Sequence, residues 1–182
     1  MLIQFNYELD KLRQVRSGNY KEGLKLDIPE IDNYLRFKPS NLNVILGHAN
    51  VGKTTVVLYL MLLYTIKHKV KWLVFSSENE PHSLIKKLIE FLMNKPIHLI
   101  GEDEFELSAD FIYDHFKIID ASKLYNYKEL LQFALLVKKQ YNYTGFMIDP
   151  CFILNAVVFA CVFNQIEILC DLQKTLISLI AS

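Results

Sequence analysis

Apolar residues recur along this chain at two periods, and the change from one to the other marks its elements. Residues 42–46 are a short apolar run of strand composition, and residues 55–67 are a helix-forming run carrying Val56, Val57, Leu58, Leu60, Met61, Leu62 and Leu63. A helix apolar nearly all round is expected to face a sheet on one side and more protein on the other. Residues 72–76 read as a second strand, and Pro81 opens a helix with an apolar face at Leu84, Ile85, Leu88, Ile89, Leu92 and Met93. An acidic helix over 102–115, a short strand over 116–119 and a helix over 127–140 follow, and residues 145–149 form an apolar strand capped by a carboxylate. Strands alternating with helices predict an α/β fold with a mostly parallel sheet flanked by helices.

The two ends read differently. In residues 1–25, Leu2, Phe5, Leu9 and Leu12 fit a helical seam while Ile3, Phe5, Tyr7 and Leu9 fit a half-buried strand, and the helix is preferred. Pro29 suits the first turn of a short helix through Leu35, ahead of a Pro39-Ser40-Asn41 turn. Residues 151–182 contain no glycine, proline or tyrosine and only Glu167, Asp171 and Lys174 as charges. Within them, residues 156–163 have strand composition, yet too few residues separate them from Asp149 for a parallel crossover, which needs about a dozen. A helix capped by Asn164 and carrying Ile166, Leu169, Cys170, Leu176, Ile177 and Ile180 is the preferred reading. The apolar stretch 151–163 includes Asn155 and falls short of the roughly 20 residues a membrane span needs.

Composition narrows the class. A chain of 182 residues, 52% hydrophobic and poor in glycine and proline, suits one domain with a substantial core rather than disorder. The formal net charge is zero, so no global basic field announces nucleic acid, and any such binding relies on local patches. Cys151, Cys161 and Cys170 are odd in number and lack C-x-x-C spacing, which suggests neither a disulfide framework nor a zinc site. Charges among the first sixteen residues argue against a secretory signal, and a cytoplasmic setting is expected.

The chemistry concentrates between the first strand and the first long helix. Gly47-His48-Ala49-Asn50-Val51-Gly52-Lys53-Thr54 fits G-x-x-x-x-G-K-[ST], the phosphate-binding loop, with Thr55 next in the helix. The glycines let the backbone curl, its N–H groups and the helix N-terminus face phosphate, Lys53 reaches the β- and γ-phosphates, and Thr54 offers a hydroxyl to Mg²⁺. Asp149, at the end of an apolar strand, stands where a second carboxylate would hold the Mg²⁺ shell beside Thr54; alone, Asp149-Pro150 would read as an ordinary strand-end turn. Glu78, just past the second strand, fits a general base that polarises water, with Glu80 a poorer candidate, and both equally fit acidic capping of the helix at Pro81.

The ordered set Ile28-Pro29-Glu30-Ile31-Asp32, Arg36, the phosphate loop, Phe75-Ser76-Ser77-Glu78-Asn79-Glu80-Pro81 and Ile148-Asp149-Pro150 resembles the helicase domain of phage and mitochondrial toprim primase-helicases, the Twinkle-like branch of the DnaB-like replicative helicases. The resemblance covers residues 24–150. It implies a RecA-like P-loop NTPase fold that hydrolyses ATP or another NTP with Mg²⁺ and works as a homo-oligomeric ring on single-stranded DNA, in a phage or bacterial host cytoplasm. Under it Lys53 and Thr54 are phosphate and Mg²⁺ ligands, Glu78 the catalytic base and Asp149 the second metal-site carboxylate. Residues 1–25 become a linker or oligomerisation segment, residues 26–150 a partial ATPase domain incomplete at its C-terminus, and residues 151–182 an anomalous hydrophobic tail.

Departures from the family accompany the match. Cys151-Phe152 stands where the family has an aromatic residue and Asn, and no arginine follows Arg36, so the family's arginine finger is missing from this chain. The family also places a later strand between the phosphate-loop strand and the Asp149 strand; without one, Asp149 is expected to fall short of the metal. Two readings besides the helicase remain: a non-catalytic nucleotide-binding or interaction module, and a RecA-like recombinase or repair ATPase. A small-molecule kinase is weakened because nothing suggests an acceptor pocket or an arginine-bearing lid.

Overall fold

The computed structural model describes residues 5–17, 23–38, 41–48, 50–123, 126–151 and 156–161, the backbone alone being described for 123, 150–151 and 156–161. The chain divides into two compact units, residues 1–38 and 39–182.

In the first unit the helical reading of the N-terminal segment holds, as α1 (Phe5–Arg16), with Glu8 in its first turn and Arg13 and Arg16 in its last, the charge order that favours the helix dipole. Pro29 opens the short helix α2 (Pro29–Asp32), which ends before Leu35. The buried Asp32 carboxylate explains this turn: its Oδ1 accepts from the Leu26 N–H (2.7 Å) and its Oδ2 from the Ile28 N–H (3.2 Å). Arg36 Nε donates to the Asp32 carbonyl (2.8 Å), and Leu24 bridges to Phe37. Gly23 sits at φ +77°, where a Cβ would meet Arg36 Cβ at 3.0 Å, so the close approach requires glycine.

The second unit is an α/β sheet. Its strands are β1 (Leu42–Ile45), β2 (Trp72–Ser76), β3 (Phe116–Ile119), β4 (Gly145–Cys151) and β5 (Ala156–Cys161), in the order β1-β5-β4-β2-β3. The helices are α3 (Lys53–His68), α4 (Pro81–Met93), α5 (Glu102–His115) and α6 (Tyr127–Tyr141). β3, β2 and β4 are parallel neighbours, the register the alternation of strands and helices leads one to expect.

Alternation along the strands sorts the core into two layers. Leu73 and Phe75 of β2, Ile119 of β3, and Phe146 and Ile148 of β4 cluster with Leu130, Leu131 and Ala134 of α6. On the opposite face the buried Trp72 indole donates from Nε1 to the Met61 carbonyl (3.2 Å) and to Thr65 Oγ1 (2.8 Å), which seats α3 against β2. Trp72 lies opposite Gly145 in the β2–β4 register, where a Cβ on residue 145 would meet the indole at 2.0 Å. α4 packs beside α3 and α5. The expectation that α3 is covered on both sides needs correction: Val57, Leu58, Met61 and Leu62 are buried, but Val56, Tyr59 and Ile66 form an exposed stripe.

A second correction concerns the chain after Asp149. The sheet does not stop there, because residues 156–161 form β5, antiparallel to both β4 and β1, from Ile148↔Val158 on one side to Val44↔Val158 on the other. The distance argument against a parallel crossover stands, but an antiparallel return needs only a hairpin. The gap between β1 and β4 is therefore bridged by the next strand in sequence. The helix expected beyond Asn164 lies outside the described residues.

Candidate functional site

β1 runs into the phosphate loop, and α3 leaves it at Lys53. Asn50 (φ +61°) and Gly52 (φ +84°) both take the left-handed conformation, which curls the backbone ahead of α3. Gly52 requires glycine for that dihedral angle, whereas a Cβ on Gly47 would come within 3.2 Å of Val51 Cγ2, an exposed side chain that has room to give. Lys53 bends back over the loop, Nζ donating to the Gly47 carbonyl (3.0 Å) and to the His48 carbonyl (2.7 Å). His48 and Val51 are exposed at the loop's rim, and Thr54 and Thr55 are half-buried in the first turn of α3. Ala49 lies outside the described residues.

The β2–β4 register decides what faces this loop. Ser76 pairs with Asp149 at the C-terminal ends of two parallel strands, and each lies two and four residues beyond positions on the α3 side of the sheet. Asp149 therefore points at the start of α3, where Thr54 Oγ1 donates to its Oδ2 at 2.7 Å across 95 residues of sequence. The expectation that Asp149 fails to reach Thr54 is corrected by this contact. The physical reason is that β5 fills the place between β1 and β4, while pairing with β2 sets Asp149 level with Ser76.

Asp149 is 1% exposed, and its Oδ2 also accepts from Ser76 Oγ (3.3 Å) and Asn79 Nδ2 (3.2 Å). No described residue hydrogen-bonds its Oδ1. Ser77 N–H donates to the Asp149 carbonyl (2.9 Å), so backbone and side chain both tie the turn after β2 to the end of β4. Sequence reasoning assigned no role to Ser76 or Asn79, although both stood in the motif after β2. The available signal was a serine at the strand end followed three residues later by asparagine, a spacing that favours side-chain closure of a turn.

Glu78 is exposed on this turn between the residues that hold Asp149. Glu80 occupies the N-cap position of α4 without a side-chain capping hydrogen bond, and its Oε2 pairs with His82 Nδ1 at 3.2 Å.

The donor set suits a hard divalent cation. Thr54 Oγ1 spends its proton on Asp149 and keeps lone pairs free, and Asp149 presents a carboxylate oxygen that no described residue engages. Mg²⁺ is commonly held by one or two such oxygens together with substrate phosphates and water, and among the described residues no group of three His, Cys, Asp or Glu forms a cation cage. No helix among the described residues is long and apolar enough to cross a membrane. Comparison with protein-family models, with curated proteins and with solved structures returns no match.

Proposed function

We propose that the chain binds ATP or another nucleoside triphosphate with Mg²⁺ at residues 47–55, and that it is a RecA-like P-loop NTPase domain of the DnaB-like replicative helicase type. The observation that carries the nucleotide reading is the 2.7 Å contact between Thr54 and Asp149. A loop that matched the phosphate motif by chance has no reason to meet a buried carboxylate 95 residues away. The helicase part rests on the resemblance of residues 24–150, with single-stranded DNA as the expected track and a homo-oligomeric ring as the working assembly.

The residues divide the work by their chemistry. Lys53, whose Nζ now donates to two carbonyls, exchanges them for phosphate oxygens that carry charge of the opposite sign. The loop N–H groups and the α3 N-terminus stabilise negative charge. Thr54 and Asp149, hydrogen-bonded to each other, would hold Mg²⁺, which when bound would offset charge on the phosphate oxygens. Glu78, exposed beside this cluster, accepts the proton of an attacking water.

Substituting Lys53→Ala tests the nucleotide reading. Bonds to charged groups contribute about 1.5–3 kcal/mol, so the affinity for a fluorescent ATP analogue with Mg²⁺ should fall roughly 10- to 100-fold in a chain with unchanged circular dichroism. Equal affinity in wild type and variant would remove the phosphate loop from the account. A non-catalytic nucleotide-binding role is favoured by one feature, the absence of any arginine after Arg36, and the hydrolysis measurements described below separate it from an active motor.

A further inference from the structure

We propose that Asn79 is a positioning residue that orients the Asp149 carboxylate toward the cation and couples it to the turn carrying Glu78. This rests on the nucleotide-binding reading above and extends it to a residue with no assigned role.

The geometry around Ser76 gives the reason. Ser76 Oγ accepts from the Asn79 backbone N–H (3.1 Å) and from Asn79 Nδ2 (3.2 Å), while standing 3.3 Å from Asp149 Oδ2. A hydroxyl has one proton and two lone pairs. With both lone pairs taken by Asn79, the Ser76 proton points at Asp149. Asn79 Nδ2 also reaches Oδ2 directly (3.2 Å), and Thr54 Oγ1 adds a third donor (2.7 Å). Three donors converge on one carboxylate oxygen, so that oxygen is committed to the protein and Oδ1 is left to the cation shell.

The same clip has a second consequence. Glu78 immediately precedes Asn79, and Ser77 N–H binds the Asp149 carbonyl (2.9 Å), so the turn bearing the proposed base cannot shift without loosening the carboxylate. Outer-shell groups that orient a metal-ligating carboxylate typically carry about 10- to 100-fold of the metal affinity. Asn79 is suited to this because its amide supplies donors without charge, whereas a lysine there would compete with the cation.

The test measures how much Mg²⁺ strengthens nucleotide binding. Binding of N-methylanthraniloyl-ADP is titrated with and without Mg²⁺ in the full chain and in its Asn79→Ala, Asn79→Leu and Ser76→Ala variants. In the Asn79 variants the Mg²⁺-dependent gain should fall about tenfold while the Mg²⁺-free affinity, set by Lys53 and the loop, stays within twofold. Ser76→Ala should show a smaller loss in the same direction, because Asn79 keeps its direct bond to Asp149. A merely structural role would lower both affinities together or neither. Wild-type Mg²⁺ coupling in both Asn79 variants would overturn the assignment of Asn79 alone. A wild-type chain that binds no nucleotide, or a Lys53→Ala chain that binds as well as wild type, would overturn the nucleotide reading and the cation role of Asn79 with it.

Discussion

Replacing Gly145 with alanine should cost this protein a large part of its stability, through a collision that the strand register makes unavoidable. Gly145 lies opposite Trp72 in the parallel β2–β4 pair, and a Cβ there would stand 2.0 Å from Cζ3 and 2.2 Å from Cε3 of the indole. The ring must move by more than 1 Å to reach ordinary contact near 3.5 Å. It has nowhere to go, since Trp72 is fully buried and its Nε1–H is held by Met61 and Thr65 of α3. Overpacking of this kind costs about 1–3 kcal/mol. Pulling a buried N–H off its acceptors costs about as much again. We expect a total near 2–6 kcal/mol against a typical 5–15 kcal/mol for a whole domain. Urea unfolding followed by tryptophan fluorescence reads the effect directly, because Trp72 is the single tryptophan of the chain. In the double variant Trp72→Leu/Gly145→Ala, followed by circular dichroism, the smaller side chain should accommodate the methyl group. The cost of the double variant should then fall short of the sum of the two single-variant costs by at least about 1 kcal/mol. The proposed nucleotide site sits at the far end of the ladder, about 13 Å away, and affinity in the folded fraction should change little. A Gly145→Ala chain destabilised by less than about 0.5 kcal/mol would refute the packing argument.

Two further expectations concern function. An arginine finger contributes on the order of 10³- to 10⁵-fold to nucleotide hydrolysis, so the isolated chain, with no arginine after Arg36, should turn over ATP near background even with single-stranded DNA. Mixing with a full-length homologue that brings its own finger should restore some hydrolysis, and Glu78→Gln should remove it while leaving Mg²⁺-nucleotide affinity intact; robust DNA-stimulated turnover by the chain alone would show that no finger is needed. Ending the chain at Cys151 removes β5, the strand hydrogen-bonded to β1, and should therefore weaken nucleotide binding as well as change solubility. Unaltered affinity in a folded truncated chain would mean that β1 holds the loop without a partner strand.

The local order of this protein was legible in its sequence because helices and strands are written in short-range periodicity and in caps. Residues 72–76, 102–115 and 116–119 take the elements their patterns predict, and Pro81 opens α4 as its fixed φ favours. The phosphate loop was legible for a similar reason, since glycine spacing before Lys53 and Thr54 encodes a backbone shape rather than a long-range contact. What the sequence left open was pairing. An apolar six-residue segment carries no mark of its partner, so residues 156–161 could be weighed as a strand without revealing the antiparallel place between β1 and β4. The same holds for the site: Thr54, Ser76, Asn79 and Asp149 meet only because the β2–β4 register brings two strand ends level beside the first turn of α3. Composition determined which groups could carry nucleotide chemistry. Sheet register, a property of hydrogen bonds between distant segments, decided which of them converge on one carboxylate oxygen.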